Sequence, residues 1–299
     1  MKALNATTVE KPVLPVKVLQ FGEGNFLRAF VDWMINKANE AGKMNHGVAI
    51  VQPIAGGEFV RDLFSKQDNL YHVYLEGIKD KQPVKEVSLV KCITGVNNPY
   101  SDYKTYESLF LSDELEMIVS NTTEAGIRYE EGDDINAEPP ASFPAKMTAL
   151  LYKRFKKFNG EASKGLSVIC CELIEDNGST LRQYVLKHAA ANNLGADFEN
   201  WVSTSCHFYD TLVDRIVPGF PKETINEIKE EIGFDDNLVV KGEYFHVWAI
   251  GGDSSIKQNC RSIRRASMYC SWMTSVSSEQ RKFVSLMVHI QLWCLLHYN

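Results

Sequence analysis

The alternation of apolar and polar positions divides the chain into short buried strands and amphipathic helices. Val16 to Phe21 is a short apolar run closing in Gly22-Glu23-Gly24, which predicts a strand and a tight turn. From Asn25 the period changes. Phe26, Leu27, Phe30, Val31, Met34 and Ala38 recur at three- and four-residue steps up to Gly42, the pattern of a helix with one buried face. Gly47 to Val51 predicts the next buried strand. Tyr71 to Leu75, Val84 to Ile93 and Met117 to Ser120 predict others, and Asp102 to Leu111 a helix behind a Ser-Asp start. Pro139, Pro140 and Pro144 punctuate the chain near its middle. Beyond them Ala145 to Phe158 predicts a helix with a basic outer face, and Ser167 to Ile174 a strand. Ser179 to Ala191, Asp197 to Tyr209 and Lys222 to Ile232 predict helices. Buried strands alternating with helices predict an α/β fold of Rossmann type, a mostly parallel sheet with helices on both faces.

The strand, the Gly22-x-Gly24 turn and the helix after it match the opening of a dinucleotide-binding unit. Glycines there let the chain turn tightly and let backbone N–H groups approach a pyrophosphate at the positive end of the helix. The third glycine of the common fingerprint is absent, since Leu27 and Arg28 stand where it would fall. A plain strand–helix turn remains the competing reading, and Arg28, whose guanidinium could pair with phosphate, favours the functional one. The acidic residue expected after the second strand is missing, because Val51 is followed by Gln52 and Pro53. Spacing alone therefore leaves NAD and NADP open. Ser120 to Glu124 follows another strand, at the edge where ligands collect, and reads equally as a polar cap. Cys171 to Gly178 closes a strand with clustered polar groups, and Asp214-Arg215 reads first as a local ion pair.

Composition excludes several classes. With 44% hydrophobic and 23% charged residues the 299-residue chain is globular, and its net charge of −6 leaves no basic footprint for nucleic acid. The start carries scattered charges rather than an apolar signal. The most apolar run, Phe283 to Leu296, is too short to span a bilayer and is broken by His289 and Gln291. Seven cysteines without paired spacing predict reduced thiols and a cytoplasmic location. The seven histidines have no metal-ligand spacing. Charge is distributed unevenly: 37 of the 38 acidic residues precede Asn259, so residues 1–258 carry −10 and the last 41 residues +4. Those 41 residues also lack Gly and Pro, yet hold three of the seven Cys.

Four segments together resemble one family. They are Val18 to Trp33 (VLQFGEGNFLRAFVDW), Ser120 to Ile127 (SNTTEAGI), Cys171 to Ile174 (CELI) and Leu212 to Ile216 (LVDRI). They are similar to the polyol-specific long-chain dehydrogenases, the group of the mannitol dehydrogenases and fructuronate reductase, over roughly residues 13–257. The Glu-Gly-Asn-Phe-Leu-Arg and Asn-Thr-Thr-Glu-Ala-Gly strings favour the branch that interconverts D-tagaturonate and D-altronate in hexuronate catabolism. The resemblance implies an NAD-dependent oxidoreductase acting on a small-molecule sugar acid. It implies cofactor contacts at Gly22, Gly24, Asn25, Phe26 and Arg28, and at Asn121, Thr122, Thr123 and Glu124. Asn177 and Asp214 fall in segments bordering the substrate. The implied organisation is a dinucleotide-binding part over 13–143, then the rest of that domain and the lead-in to a mainly helical substrate domain over 144–258. Catalysis in this family depends on a Lys, an Asn five positions on and a His eight positions on, in a segment like K-V-R-L-L-N-G-A-H.

That segment is expected soon after Gln258, where the acid-poor tail stands instead. Reading the third base of each tail codon with the first two of the next explains the oddity. Positions with unique codons are fixed: Trp272-Met273-Thr274 yields Asp-Asp, Met268-Tyr269 yields Val, Met287-Val288 yields Gly and Trp293-Cys294 yields Val. Permitted choices elsewhere yield K-V-R-L-L-N-G-A-H, its Lys arising across Arg281-Lys282, its Asn across Leu286-Met287 and its His across His289-Ile290. Residues 259–299 are thus expected to be out-of-frame translation. The second domain is expected to be incomplete, no residue of the catalytic trio to be present, and nothing beyond about Gly252 to pack stably.

Overall fold

The computed structural model describes residues 1–122 and 126–251 and the backbone of Met273–Val276. Strand β1, Val16–Phe21, leads into a helical segment over residues 25–40 (α1) that contains one π-helical turn, Arg28–Asp32. Then come β2 (Gly47–Val51), α2 (Glu58–Lys66), β3 (Tyr71–Lys79), β4 (Gln82–Val90) and β5 (Ile93–Asn97). The middle of the chain supplies α3 (Tyr103–Phe110), β6 (Met117–Ser120), α4 (Phe143–Lys157) and β7 (Ser167–Cys170). The last described third supplies α5 (Asn177–Ala191), α6 (Ala196–Ser205), β8 (His207–Tyr209), β9 (Thr211–Asp214), α7 (Ile225–Ile232), β10 (Val240–Glu243) and β11 (Val247–Gly251).

Six strands form one sheet in the order β5-β2-β1-β6-β7-β8, and every neighbouring pair is parallel. Numbered among themselves, these strands run 3-2-1-4-5-6, the doubly wound order that reverses direction between β1 and β6. Strands before and after position 143 share the sheet. Successive residues feed opposite faces. Leu19, Phe21, Ala49, Val51, Ile118, Val168 and Cys170 pack against α3, α4, α5 and α6. Val18, Val48, Ile50, Met117, Val119 and Ile169 pack against α1 and the strands beyond it.

Local chemistry accounts for several boundaries. Asp102 accepts from the Thr105 N–H at 3.1 Å and so caps α3, while Ser142 caps α4 just ahead of Pro144. Arg154, Lys156 and Lys157 occupy the last turn of α4, where cations suit the helix dipole.

The structure departs from the expected elements in three places. Tyr71 to Leu75 and Val84 to Ile93 are not strands of the main sheet. They belong to an antiparallel hairpin, β3–β4, that turns at Asp80-Lys81, both at positive φ, and takes β10 alongside β3. Ile93 begins a separate strand. Second, the helix expected over Asp197 to Tyr209 stops at Ser205, and β8 adds an edge strand beside β7. Third, among the described residues a strand lies beyond Gly252, where none was expected: β12, Met273–Val276, pairs parallel to β11. The rest of the tail lies outside the described residues.

Candidate functional site

The order reversal leaves a crevice at the carboxyl ends of β1 and β6, and the loops after both strands meet there. Gly22 has φ +121°, and a Cβ at that position would lie 2.9 Å from the Asn121 carbonyl oxygen. Only glycine suits both the backbone and the approach. Gly24 is extended (φ −62°, ψ 160°) and precedes α1 without a side-chain cap. The first-turn N–H groups of α1 therefore have no capping acceptor from a side chain. A Cβ on Gly24 would meet no atom within 4 Å, so the backbone here faces open space. Uncapped helix N–H groups beside open space are the kind of backbone surface that can hold an anion such as a pyrophosphate.

Of the other residues expected at the cofactor, Asn121 and Thr122 lie at the crevice. Asn121 donates from its backbone N–H to the Phe21 carbonyl at 3.0 Å and from Nδ2 to the Cys171 carbonyl at 2.6 Å. Thr123 and Glu124 lie outside the described residues. Asn25 and Phe26 begin α1, and both have contacts within that helix: Asn25 Oδ1 accepts from Arg28, and the Phe26 ring stacks on Phe30 at 5.0 Å.

Arg28 is placed differently from the expectation. Its guanidinium is buried behind α1, donating to the Leu238 carbonyl at 2.8 Å and to Asn25 Oδ1 at 2.5 Å, over the rings of Phe64 and Tyr71. It ties α1 to the added strands and does not present a head to a phosphate. The reason is steric: position 28 follows the first helical turn on the inward face.

Around Arg28 lies a buried polar group that periodicity did not reveal. Asp32 is fully buried. It accepts from Gln20 Nε2 at 3.3 Å and from the Tyr71 hydroxyl at 3.1 Å, and burial pushes its carboxyl up to about 7. Gln20 also donates to the Gly22 carbonyl, so this network supports the glycine turn from below.

The two residues expected near substrate take different parts. Asn177 is fully buried and fully engaged. Its Nδ2 donates to the Glu172 and Thr211 carbonyls, and its Oδ1 accepts from the Gly178 and Thr211 N–H groups. It locks the start of α5 to β9. Asp214 ends β9, half-buried, with its carboxyl raised by burial. Arg215 turns its guanidinium to the Ala29 carbonyl, to His246 Nδ1 at 2.9 Å and over the Trp33 ring.

Glu172, within the polar cluster expected after this strand but given no role of its own, proves central. It stands just past β7 and accepts from the Ser120 hydroxyl, the Thr122 N–H and the Thr122 hydroxyl, at 3.0–3.1 Å. Burial raises its carboxyl, against those hydrogen bonds. One carboxylate thus holds the β6 loop in place. Its signal was an acid two residues past a buried strand, the first of the three acids in that cluster.

A doubly wound sheet with a glycine turn and an uncapped helix N-terminus at its switch point defines a dinucleotide-binding dehydrogenase domain. Residues 16–262 match the mannitol dehydrogenase Rossmann domain, and the chain belongs to that family. Its relatives include altronate oxidoreductases from Phocaeicola vulgatus, 46% identical over 250 residues, and from Bacillus subtilis, 45% identical over 238. These alignments cover 84% and 80% of this chain but 52% and 49% of the relatives, so the chain spans about half the length of the curated relatives it matches. The fold is shared with Pseudomonas fluorescens mannitol 2-dehydrogenase, solved with NAD and D-mannitol, at a TM-score of 0.68 and 21% identity over 80% of this chain and 50% of that one. A D-sorbitol dehydrogenase structure gives a TM-score of 0.70 at 20% identity, over 85% and 55%. Among the described residues no helix is long and apolar enough to cross a membrane.

Proposed function

We propose that this chain is the NAD-binding part of an oxidoreductase that interconverts D-tagaturonate and D-altronate. The observation that carries this reading is the Gly22–Gly24 cradle facing the uncapped start of α1, in a chain 46% identical over 250 residues to an altronate oxidoreductase. NAD, when bound, supplies the hydride acceptor. The chain's own part is to hold it. Backbone N–H groups of the first turn of α1 neutralise the pyrophosphate, Gly22 lets the two loops close together, and Glu172 keeps the Ser120–Thr122 loop in register. Asn177 acts by positioning β9, whose last residue, Asp214, borders the sugar.

Among residues 1–258 no group is assigned the proton transfer. The family's Lys, Asn and His arise here only in the shifted frame of residues 259–299. We therefore propose that this chain binds NADH without turning over tagaturonate, as a non-catalytic remnant of a frameshifted gene. NADH titration followed by protein fluorescence, beside a tagaturonate-dependent NADH oxidation assay, tests both statements. Binding without oxidation is the expected result. Turnover near that of a full-length relative overturns the inactive reading, and absence of NADH binding overturns the cofactor reading. Resequencing the DNA around codons 257–259 tests the frame independently.

A further inference from the structure

The carboxyl end of β2 is where a dinucleotide-binding sheet reads the adenosine ribose, and an acid normally stands there. Here the position holds Gln52, and Gln52 is withdrawn from any ligand. It is fully buried, its Nε2 donates to the Gly57 carbonyl at 2.9 Å and to Glu23 Oε1 at 3.1 Å, and its Oε1 accepts from Asn98. Gly57, at φ +102°, makes this possible, since a Cβ there would lie 2.3 Å from Gln52 Nε2. Residues 53–57 carry no charge, and Asn98 Nδ2 gathers the carbonyls of Ile54, Ala55 and Gly56. The next cation along the chain, Arg61, donates to Ser101 Oγ.

A carboxylate is nevertheless present at this spot, and it comes from the glycine turn. Glu23 lies between Gly22 and Gly24, half-buried, with Oε1 held by Gln52 beside Gly57. Its Oε2 accepts no hydrogen bond among the described residues. We infer that Glu23 replaces the acid missing after β2: its free oxygen accepts from the adenosine ribose hydroxyls and excludes a 2′-phosphate, so the crevice selects NAD(H) over NADP(H). Two features favour this placement. Gln52 fixes the carboxylate over the end of β2 before any ligand arrives. No lysine or arginine within residues 52–60 is present to neutralise a 2′-phosphate.

The inference rests on the crevice being a dinucleotide site, and the test separates the two. NADH and NADPH are titrated against the whole chain, the Glu23→Gln and Glu23→Asp variants, and Glu58→Gln as a neighbouring exposed acid; melting temperatures are compared throughout. The wild type is expected to prefer NADH. Glu23→Gln should weaken NADH about tenfold, as loss of a charge-assisted hydrogen bond does, and erase the preference. Glu23→Asp keeps the charge and should keep the rejection of NADPH, which provides a second readout if the Gln variant folds poorly. Glu58→Gln should change nothing. An unchanged NADH-to-NADPH ratio in Glu23→Gln, a ratio lost in Glu58→Gln instead, or a wild type that prefers NADPH overturns the inference alone. Binding of neither nucleotide by the wild type overturns the dinucleotide reading beneath it.

Discussion

The two ends of the main sheet are built on opposite principles. At the amino end, loose backbone is tied down. The buried Arg154 donates to the Phe110, Ser112, Leu115 and Lys164 carbonyls, closing the approaches to β6 and β7. Glu116, ahead of β6, bridges Lys17 at 2.7 Å and His46 at 3.3 Å. At the carboxyl end, a helix start is left without a side-chain cap, Gly22 holds a left-handed backbone, and Asp32 is buried with Oδ1 lacking a hydrogen-bond partner. Side chains tie loop backbone at both ends, but only at the carboxyl end does the helix start beside a glycine turn stand without a side-chain acceptor.

The largest test of this contrast is Arg154→Ala. Stranding four carbonyls at the amino end should cost about 5 kcal/mol in a urea unfolding series, while the folded fraction keeps its NADH affinity. A loss under about 1 kcal/mol would show that the amino end does not depend on this clamp.

Next in size is the pH response of Asp32. Well below its ordinary value of 3.8 its carboxyl is protonated in folded and unfolded chains alike. As pH rises toward 7 the unfolded chain ionises it while the folded chain, with its carboxyl near 7, holds the proton. Folding should lose about 4 kcal/mol across that window, and the loss should level off above it. Asp32→Asn removes this contribution, so the variant's urea midpoint should fall less than the wild type's between pH 4 and 8. Parallel pH profiles would refute a buried, uncompensated carboxyl.

The smallest effect on stability, and the most selective, is expected of Gly22→Ala. A left-handed alanine pressed toward the Asn121 carbonyl should cost about 2 kcal/mol. It should also weaken NADH by more than about tenfold, because the cradle is displaced along with the loop. If the variant were destabilised yet bound NADH normally, the open end would be a structural turn and not a site.

How much of this was legible along the chain depended on whether the signal was local. β1, β2 and β6 lie on their apolar runs, because a strand buried on both faces reads as a nearly continuous apolar stretch, broken in β1 only by Lys17 and Gln20. The Gly22-x-Gly24 turn announced itself because its backbone requirement is local. By contrast, β8 has three residues, too few to show a period, and its strand state comes from pairing with β7. The β3–β4 hairpin looked like two more strands of the main sheet, since burial pattern does not name a partner. Arg28 read as a phosphate ligand because helix position was known and direction was not.

The sequence by itself determined the alternation of strands and helices, the glycine cradle, the acid-poor tail and the family resemblance. All are carried by residue type and spacing. Only the tertiary structure decided which strand lies beside which, that Arg28 faces inward, and that Glu172 reaches the Ser120–Thr122 loop. It also decided that Gln52 turns away and leaves Glu23 over the end of β2. Burial and hydrogen-bond direction depend on residues far apart along the chain, and spacing does not record them.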